Sequence, residues 1–154
     1  MSEPNPDAAR NRAVIDEFRA NRGSVRLQTV AGDVPAEALQ GLPAPALLIL
    51  HTTGAKSGHR RESPLAYQEV GRDFAVFGSN GARPSQPGWY WNLLADPDAQ
   101  IEVGADRIEV RARIAEGAER ERIWEQQKAT QPGFASYESQ LARAVPVVVL
   151  ERRD

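Results

Sequence analysis

Residues 107–114 read Arg-Ile-Glu-Val-Arg-Ala-Arg-Ile, and no other stretch restricts the fold as tightly. Ile108, Val110, Ala112 and Ile114 alternate with Arg107, Glu109, Arg111 and Arg113, the period of two of a half-buried β-strand. Such a strand needs neighbours, and shorter runs supply them. Residues 46–50 are continuously apolar, as in a strand buried on both faces. Further strands are expected at 62–70, 74–77, 101–103 and 145–150, with breaks at Gly71 and at Gly104-Ala105-Asp106. Val25, Leu27 and Thr29 alternate with Arg26, Gln28 and Val30 and predict one more short strand. Helices are expected at 8–21, with Val14, Ile15 and Phe18 on one face and Gly23 as the stop, and between Pro87 and Asp96-Pro97. Two more follow, a charged one at 116–130 with Glu116 and Arg120 spaced for an i,i+4 pair, and a short one after Pro132. Residues 31–46 hold Gly32, Pro35, Gly41, Pro43 and Pro45 and read as a loop with at most one helical turn.

Six or seven short strands with helices at the edges make an α+β chain. The apolar runs are too short for a doubly wound sheet, so a small, mostly antiparallel barrel with peripheral helices is the expected architecture. At 154 residues, 1–154 is read as a single domain, with the polar, proline-bearing segment 1–7 disordered.

Charge and composition remove several functions. Lys+Arg total 19 and Asp+Glu 21, a net charge of -2 that argues against a nucleic-acid partner. No apolar run approaches the ~20 residues of a membrane span, so no stable membrane insertion is expected. The opening MSEPNPDAAR lacks the order of a signal peptide. Without cysteine there is neither thiol catalysis nor thiolate-held zinc, and two histidines make a His-rich metal site improbable; no metal is assigned. A cytoplasmic location follows as the expectation. Arg10, Arg12, Arg19 and Arg22 could lay the first helix on a membrane surface, but Asp7, Asp16 and Glu17 nearly cancel them. Docking on the barrel is the favoured reading, and peripheral membrane contact stays open.

Three stretches could carry chemistry. The first, 51–61, packs Lys56, His59, Arg60 and Arg61 beside Gly54 and Gly58, with Thr52, Thr53 and Ser57 as hydroxyl donors. Glycines there let consecutive N–H groups converge on one anion, and Lys and Arg suit phosphate or carboxylate. For such a loop taken alone, an ordinary hairpin with solvated charges is the favoured reading; the spacing is neither a Walker loop nor a dinucleotide fingerprint. The second, 79–92, joins a donor-rich loop to Trp89 and Asn92, one helical turn apart, which would serve a flat heteroaromatic ring. Its alternative is core packing of Trp89 beside Tyr90, Leu93 and Leu94. The third places Phe134 and Tyr137 on one helical face ahead of Arg143, bordering a pocket or packed in the core. His51 and His59 have no acidic neighbour in sequence and receive no catalytic role.

These stretches resemble the deazaflavin (coenzyme F420)-dependent nitroreductase family. Thr52, Thr53, Gly54, Lys56, Ser57, Gly58, Arg61, Pro64 and Leu65 match its first motif, and Ser79, Asn80 and Gly81 its second. Pro87, Trp89, Tyr90, Asn92, Leu93, Ala95 and Pro97 match the third, and Pro132, Phe134, Tyr137, Arg143, Val145, Pro146, Val147 and Val148 the last. Departures are Ala55 where many relatives have arginine, Ala82 for a second glycine, Trp91 for a common histidine, and Phe134 for a residue that carries a hydroxyl in some relatives.

The resemblance implies a split β-barrel that binds F420, a phosphate-bearing deazaflavin with a polyglutamate tail. It implies hydride transfer from reduced F420 to a small organic acceptor: a nitroaromatic, quinone or enone. Lys56, Ser57, Gly58 and Arg61 would hold the phosphate end, with Pro64 and Gly81 also in the cofactor set. Ser79, Asn80, Trp89 and Asn92 would edge the ring, and Ser79 and Tyr137 would stand at the chemistry. The same fold holding FMN, a non-catalytic F420 or lipid carrier, and an oligonucleotide-binding barrel are the alternatives. Both monomer and homodimer are compatible with the chain.

Overall fold

The computed structural model describes residues 8–153. Its six strands are β1 Leu47–Thr53, β2 Arg60–Val70, β3 Asp73–Phe77, β4 Asp98–Val103, β5 Asp106–Ile114 and β6 Val147–Arg152. They close into an antiparallel barrel in the order β1-β2-β3-β6-β5-β4. β4 returns to β1 through Leu50↔Ile101, so no edge stays open. Around it lie α1 Ala8–Ala20, α2 Leu27–Ala31, α3 Gly88–Ala95, α4 Gly117–Thr130 and α5 Gly133–Gln140. This is the α+β antiparallel barrel expected from the strand pattern.

The lumen is filled by Leu48, Leu50, Phe74, Val76, Ile101, Val110, Val148 and Leu150, and α3 adds Trp89 and Leu93. Alternate residues of the same strands are also covered. Leu47 and Ile49 pack on Val14, Ile15 and Phe18 of α1, and Ala75, Phe77, Val147 and Val149 pack with Ile123 and Trp124 of α4. Double coverage explains why the runs at 47–50 and 147–150 are continuously apolar. Each such buried Leu or Ile contributes roughly 1.5–3 kcal/mol of transfer free energy. β5 keeps its alternation because its outer face carries ion pairs: Arg111 with Asp98 at 2.8 Å and Arg113 with Glu119 at 2.5 Å. α1 ends in close backbone contact, since a Cβ on Gly23 would stand 2.8 Å from Gly104 Cα.

Two expectations change and a third holds. Residues 25–30 form no seventh strand; the barrel is closed without one, and Leu27–Ala31 is helical. The Glu17 carboxylate fixes that turn by accepting the Arg26 N–H at 2.5 Å and the Thr29 hydroxyl at 2.8 Å. Arg120 does not pair with Glu116; it donates to Val145 O at 2.7 Å and to Glu121 at 2.6 Å, tying α4 to the start of β6. The first helix docks on the barrel, and its Arg19 reaches Glu62 and Glu102. The disorder expected at 1–7 lies outside the described residues.

Because β1, β2 and β3 run antiparallel in turn, β1 and β3 both end where β2 and β6 begin. The segments 54–59, 78–87 and 141–146 therefore meet at one mouth of the barrel.

Candidate functional site

The basic turn at that mouth is closed by its own backbone. Gly54 N–H donates to His59 O at 2.8 Å, Gly58 N–H to Gly54 O at 2.9 Å, and His59 N–H to Ser57 Oγ at 3.1 Å. A Cβ at Gly54 would stand 2.5 Å from Ser57 Oγ and 3.3 Å from His59 O, so a larger residue must displace the hydroxyl that accepts the His59 N–H. Gly58 turns the chain at φ +73. Lys56, Ser57, His59 and Arg60 are exposed, and the closing bonds leave the N–H groups of Lys56 and Ser57 unspent. Arg61 pairs with Thr52 across the β1–β2 ladder and so shares its face; its Nε lies 3.7 Å from a Cβ placed on Gly54. Residues 51–61 contain no carboxylate, and the next one, Glu62, is engaged by Arg19 at 2.6 Å. Pro64 is not gathered with this set: it stands opposite Ile49, on the strand face away from Arg61.

Asn92 of α3 fastens the turn. Its Oδ1 accepts the Ala55 N–H at 2.9 Å and its Nδ2 donates to Thr52 Oγ1 at 3.1 Å. Trp89, three residues earlier, is inside the barrel and only 6% exposed, whereas Trp91 is 53% exposed. Trp89 thus plugs the lumen and seats α3 rather than standing as an open wall beside Asn92. The two residues serve one helix in different ways.

The second loop leaves β3 through a buried Ser79 in right-handed helical conformation. Asn80, Gly81 and Ala82 then hold φ values of 52, 62 and 64. Ala82 N–H donates to Ser79 O at 3.0 Å, Arg83 N–H to Asn80 O at 3.1 Å, and Asn80 Nδ2 to Ser85 O at 3.0 Å. Ala82 occupies a left-handed position in which glycine is unstrained, which accounts for the glycine expected there. Behind the loop lies the Arg143 guanidinium, which donates to Gly78 O, Ser79 O and four further acceptors. Its role was not legible in sequence, because it depends on contacts 57 to 65 positions away.

Tyr137 sits half-buried on α5, edge-on to Phe134 at 5.6 Å, and Phe134 in turn meets Phe77 and Trp124. α5 also packs against the 80–82 turn, which brings the helix that carries Tyr137 to the mouth where Ser79 lies.

A polar cluster that sequence reading missed lies under α1. His51 is buried, and its Nε2 is hydrogen-bonded to Glu102 Oε2 at 2.6 Å. Arg19 donates to both Glu102 and Glu62, at 2.8 and 2.6 Å. The Arg19 hydrogen bond, opposed by burial and helped by His51, holds the Glu102 carboxyl down at about 2. His51, Glu62 and Glu102 bring possible metal-ligand atoms within 4.8 Å of one another, but Arg19 already supplies the positive charge these carboxylates need. The signal was obscured because the partners sit on β1 and β4, 51 positions apart.

Two grooves run along α1. One of about 240 Å³ is bounded by Phe18, Arg19, Glu102 and Arg107, and one of about 390 Å³ by Glu17, Asn21 and Arg26; no candidate residue lines either. Among the described residues no helix is long and apolar enough to cross a membrane.

The profile of the F420H(2)-dependent quinone reductase family matches residues 20–152. An F420H(2)-dependent quinone reductase of Mycobacterium tuberculosis strain H37Rv is 39% identical over 113 residues, covering 71% of this chain and 76% of that protein. A solved F420-H2 dependent reductase superposes with TM-score 0.63 at 35% identity, over 68% of this chain and 93% of its own. A chain solved as a domain-swapped dimer superposes with TM-score 0.65 at 29% identity, over 94% of this chain and 98% of its own.

Proposed function

The chain belongs to the F420H(2)-dependent quinone reductase family, and on that premise we propose that it oxidises reduced F420 and passes the hydride to a quinone. It is an oxidoreductase, and coenzyme F420 is its cofactor. The observation that carries the reading is the joining of an acid-free basic turn to the barrel's plugging helix through Asn92.

The residues suit the coenzyme. Its phosphate needs cations, N–H donors and no competing carboxylate, and Lys56, Ser57, Gly58 and Arg61 offer that set. Ser79, Asn80 and Gly81 supply the polar edge for the ring, and Asn92 keeps the phosphate turn at a fixed distance from it. Trp89 is assigned the floor beneath them. When bound, the coenzyme supplies a hydride, an electron pair carried with a proton. Conversion of a quinone to a quinol also takes a proton, and in this reading Tyr137 Oη would hold one toward the acceptor. Ser79 orients the acceptor oxygen with its hydroxyl. The whole chain acts as one catalytic domain, and self-association as a homodimer accords with the domain-swapped relative.

Fluorescence titration with F420, beside FMN as control, tests the binding half. Saturable F420 binding with none for FMN is expected, and the reverse would end the proposal. Oxidation of reduced F420 by a soluble quinone, compared with a nitroaromatic and an enone, tests the acceptor; turnover confined to either of the others would replace the quinone assignment. Binding without turnover on any acceptor would identify a carrier.

A further inference from the structure

We propose that Arg143 is a positioning residue for this reaction, its guanidinium gathering the carbonyls of the 78–86 loop so that the loop presents its N–H edge to the mouth. The inference rests on the function proposed above for Ser79, Asn80 and Gly81.

The contacts are unusually complete. Arg143 Nη1 donates to Gly78 O at 3.0 Å and Gln86 Oε1 at 2.8 Å. Nη2 donates to Ser79 O at 3.2 Å, Arg83 O at 3.0 Å and Ser85 O at 3.2 Å, and Nε donates to Pro84 O at 3.0 Å. A guanidinium has five N–H bonds in a planar fork, so these six acceptors take up its donor capacity, with at least one bond shared. Among the described residues no carboxylate pairs with it. An ordinary structural arginine pairs with an acid; this one is committed to a single loop. Three residues on, Pro146 completes the hold. Its carbonyl accepts the Gly78 N–H at 3.0 Å, and a Cβ at Gly78 would stand 2.6 Å from Pro146 Cγ. The 143–146 strap therefore grips the loop at its start and along its length.

What the grip secures is a conformation that the loop sequence does not favour alone. Ser79 is right-handed and Asn80 has φ 52, the succession in which N–H groups of adjacent residues line one concavity. The N–H groups of Ser79, Asn80 and Gly81 are not spent on backbone bonds of the loop, whereas those of Ala82 and Arg83 are. Such a concavity fits an oxygen that carries partial negative charge. Lysine could not replace the fork, because its three donors radiate from one point on a flexible stem.

The test uses Arg143→Ala and Arg143→Lys in the full chain. Hydrogen exchange is read first on the protein without cofactor. Exchange at Ala82 and Arg83 should be at least tenfold faster in both variants, with the strand amides unchanged. In turnover, kcat should fall at least tenfold and by more than KM rises. Low millimolar guanidinium should restore both readouts in Arg143→Ala, whereas equal ammonium should not. Unchanged exchange at Ala82 and Arg83, turnover of Arg143→Lys within twofold of the parent, or equal rescue by ammonium would overturn the proposal. If Arg143→Ala does not fold, Arg143→Lys carries the exchange and kcat readouts alone. Absence of F420 binding in the parent would instead sink the function proposed above and leave the exchange result standing.

Discussion

One side-chain amide, that of Asn92, accepts the Ala55 N–H at 2.9 Å and donates to Thr52 Oγ1 at 3.1 Å, spanning 37 and 40 positions of sequence. The pairing needs an acceptor and a donor on one planar group. An aspartate could keep both partners, because the Thr52 hydroxyl can rotate to donate. It would also set a negative charge against the turn proposed to hold the coenzyme's phosphate. Asn92→Asp should therefore stay near parental stability while F420 affinity falls by about 1–2 kcal/mol, five- to thirty-fold. Asn92→Ala should lose stability by about 1–3 kcal/mol as two partners are orphaned. Denaturation midpoints and F420 titration separate the two effects; parental F420 affinity in Asn92→Asp would show that the turn holds no anion.

Lys56 at the tip of the turn and Arg61 on the Thr52 face of β2 are both exposed. Removing both as Lys56→Ala with Arg61→Ala should weaken F420 binding by ~2–4 kcal/mol if each makes a charge-assisted contact. The loss should shrink as salt is raised. A titration curve that overlays the parent's would mean these cations are merely solvated.

The barrel was readable because its signals are local. Each strand declares itself in five to eleven residues, and Gly71 and Gly104 punctuate them. The failure at 25–30 is also local: a six-residue alternation cannot show that the sheet is already closed or that Glu17 waits to fix a helical turn. The basic turn and the Ser79-Asn80-Gly81 loop were found from composition, but Asn92 could be placed only near them, not on Thr52 and Ala55. His51 with Glu102 and Arg143 with the loop carbonyls were out of reach. Their meaning comes from strand order and from backbone acceptors, and a backbone carbonyl leaves no mark in a sequence. Trp89 was ambiguous for another reason, since an indole suits a lumen and a ligand face equally.

Ala82 at φ +64 is a strained alanine. A left-handed alanine costs roughly 1–2 kcal/mol, partly offset by the greater chain entropy of the glycine that would replace it. Ala82→Gly should raise stability by about 0.5–1 kcal/mol, a shift of a few degrees in Tm for a chain of this size. The reverse change at Gly58, with φ +73, should cost about 1 kcal/mol although the space is open. Thermal melts of the pair check both signs; a destabilised Ala82→Gly would contradict the strain assignment.

Glu102 makes the docking of α1 acid-sensitive. It accepts from Arg19, is bonded to His51, and has Arg107 at 3.8 Å, while Glu62 shares Arg19. Its folded pKa of about 2 lies below the ordinary value of 4.5, so its contribution is complete above 4.5 and is lost as pH falls through 2. Urea midpoints of the parent should decline over that window. Glu102→Gln should be less stable at neutral pH and show a flatter decline, because the titrating group is gone. An unchanged slope would assign the acid sensitivity to other carboxylates.

Tyr137 is rooted through its ring, not through its hydroxyl: Phe134 at 5.6 Å links it to Phe77 and Trp124 under α4. Loss of the oxygen should therefore leave α5 where it is. Tyr137→Phe is expected to keep its melting temperature and F420 affinity and to lose turnover by about 10²-fold, the lower end of what a positioned acid supplies. The loss should be in kcat, with a larger solvent isotope effect in the parent than in the variant if the phenol's proton moves in the slow step. If Tyr137→Phe turns over at the parental rate, the proton comes from water, and the part played by α5 reduces to shaping the mouth beside Ser79.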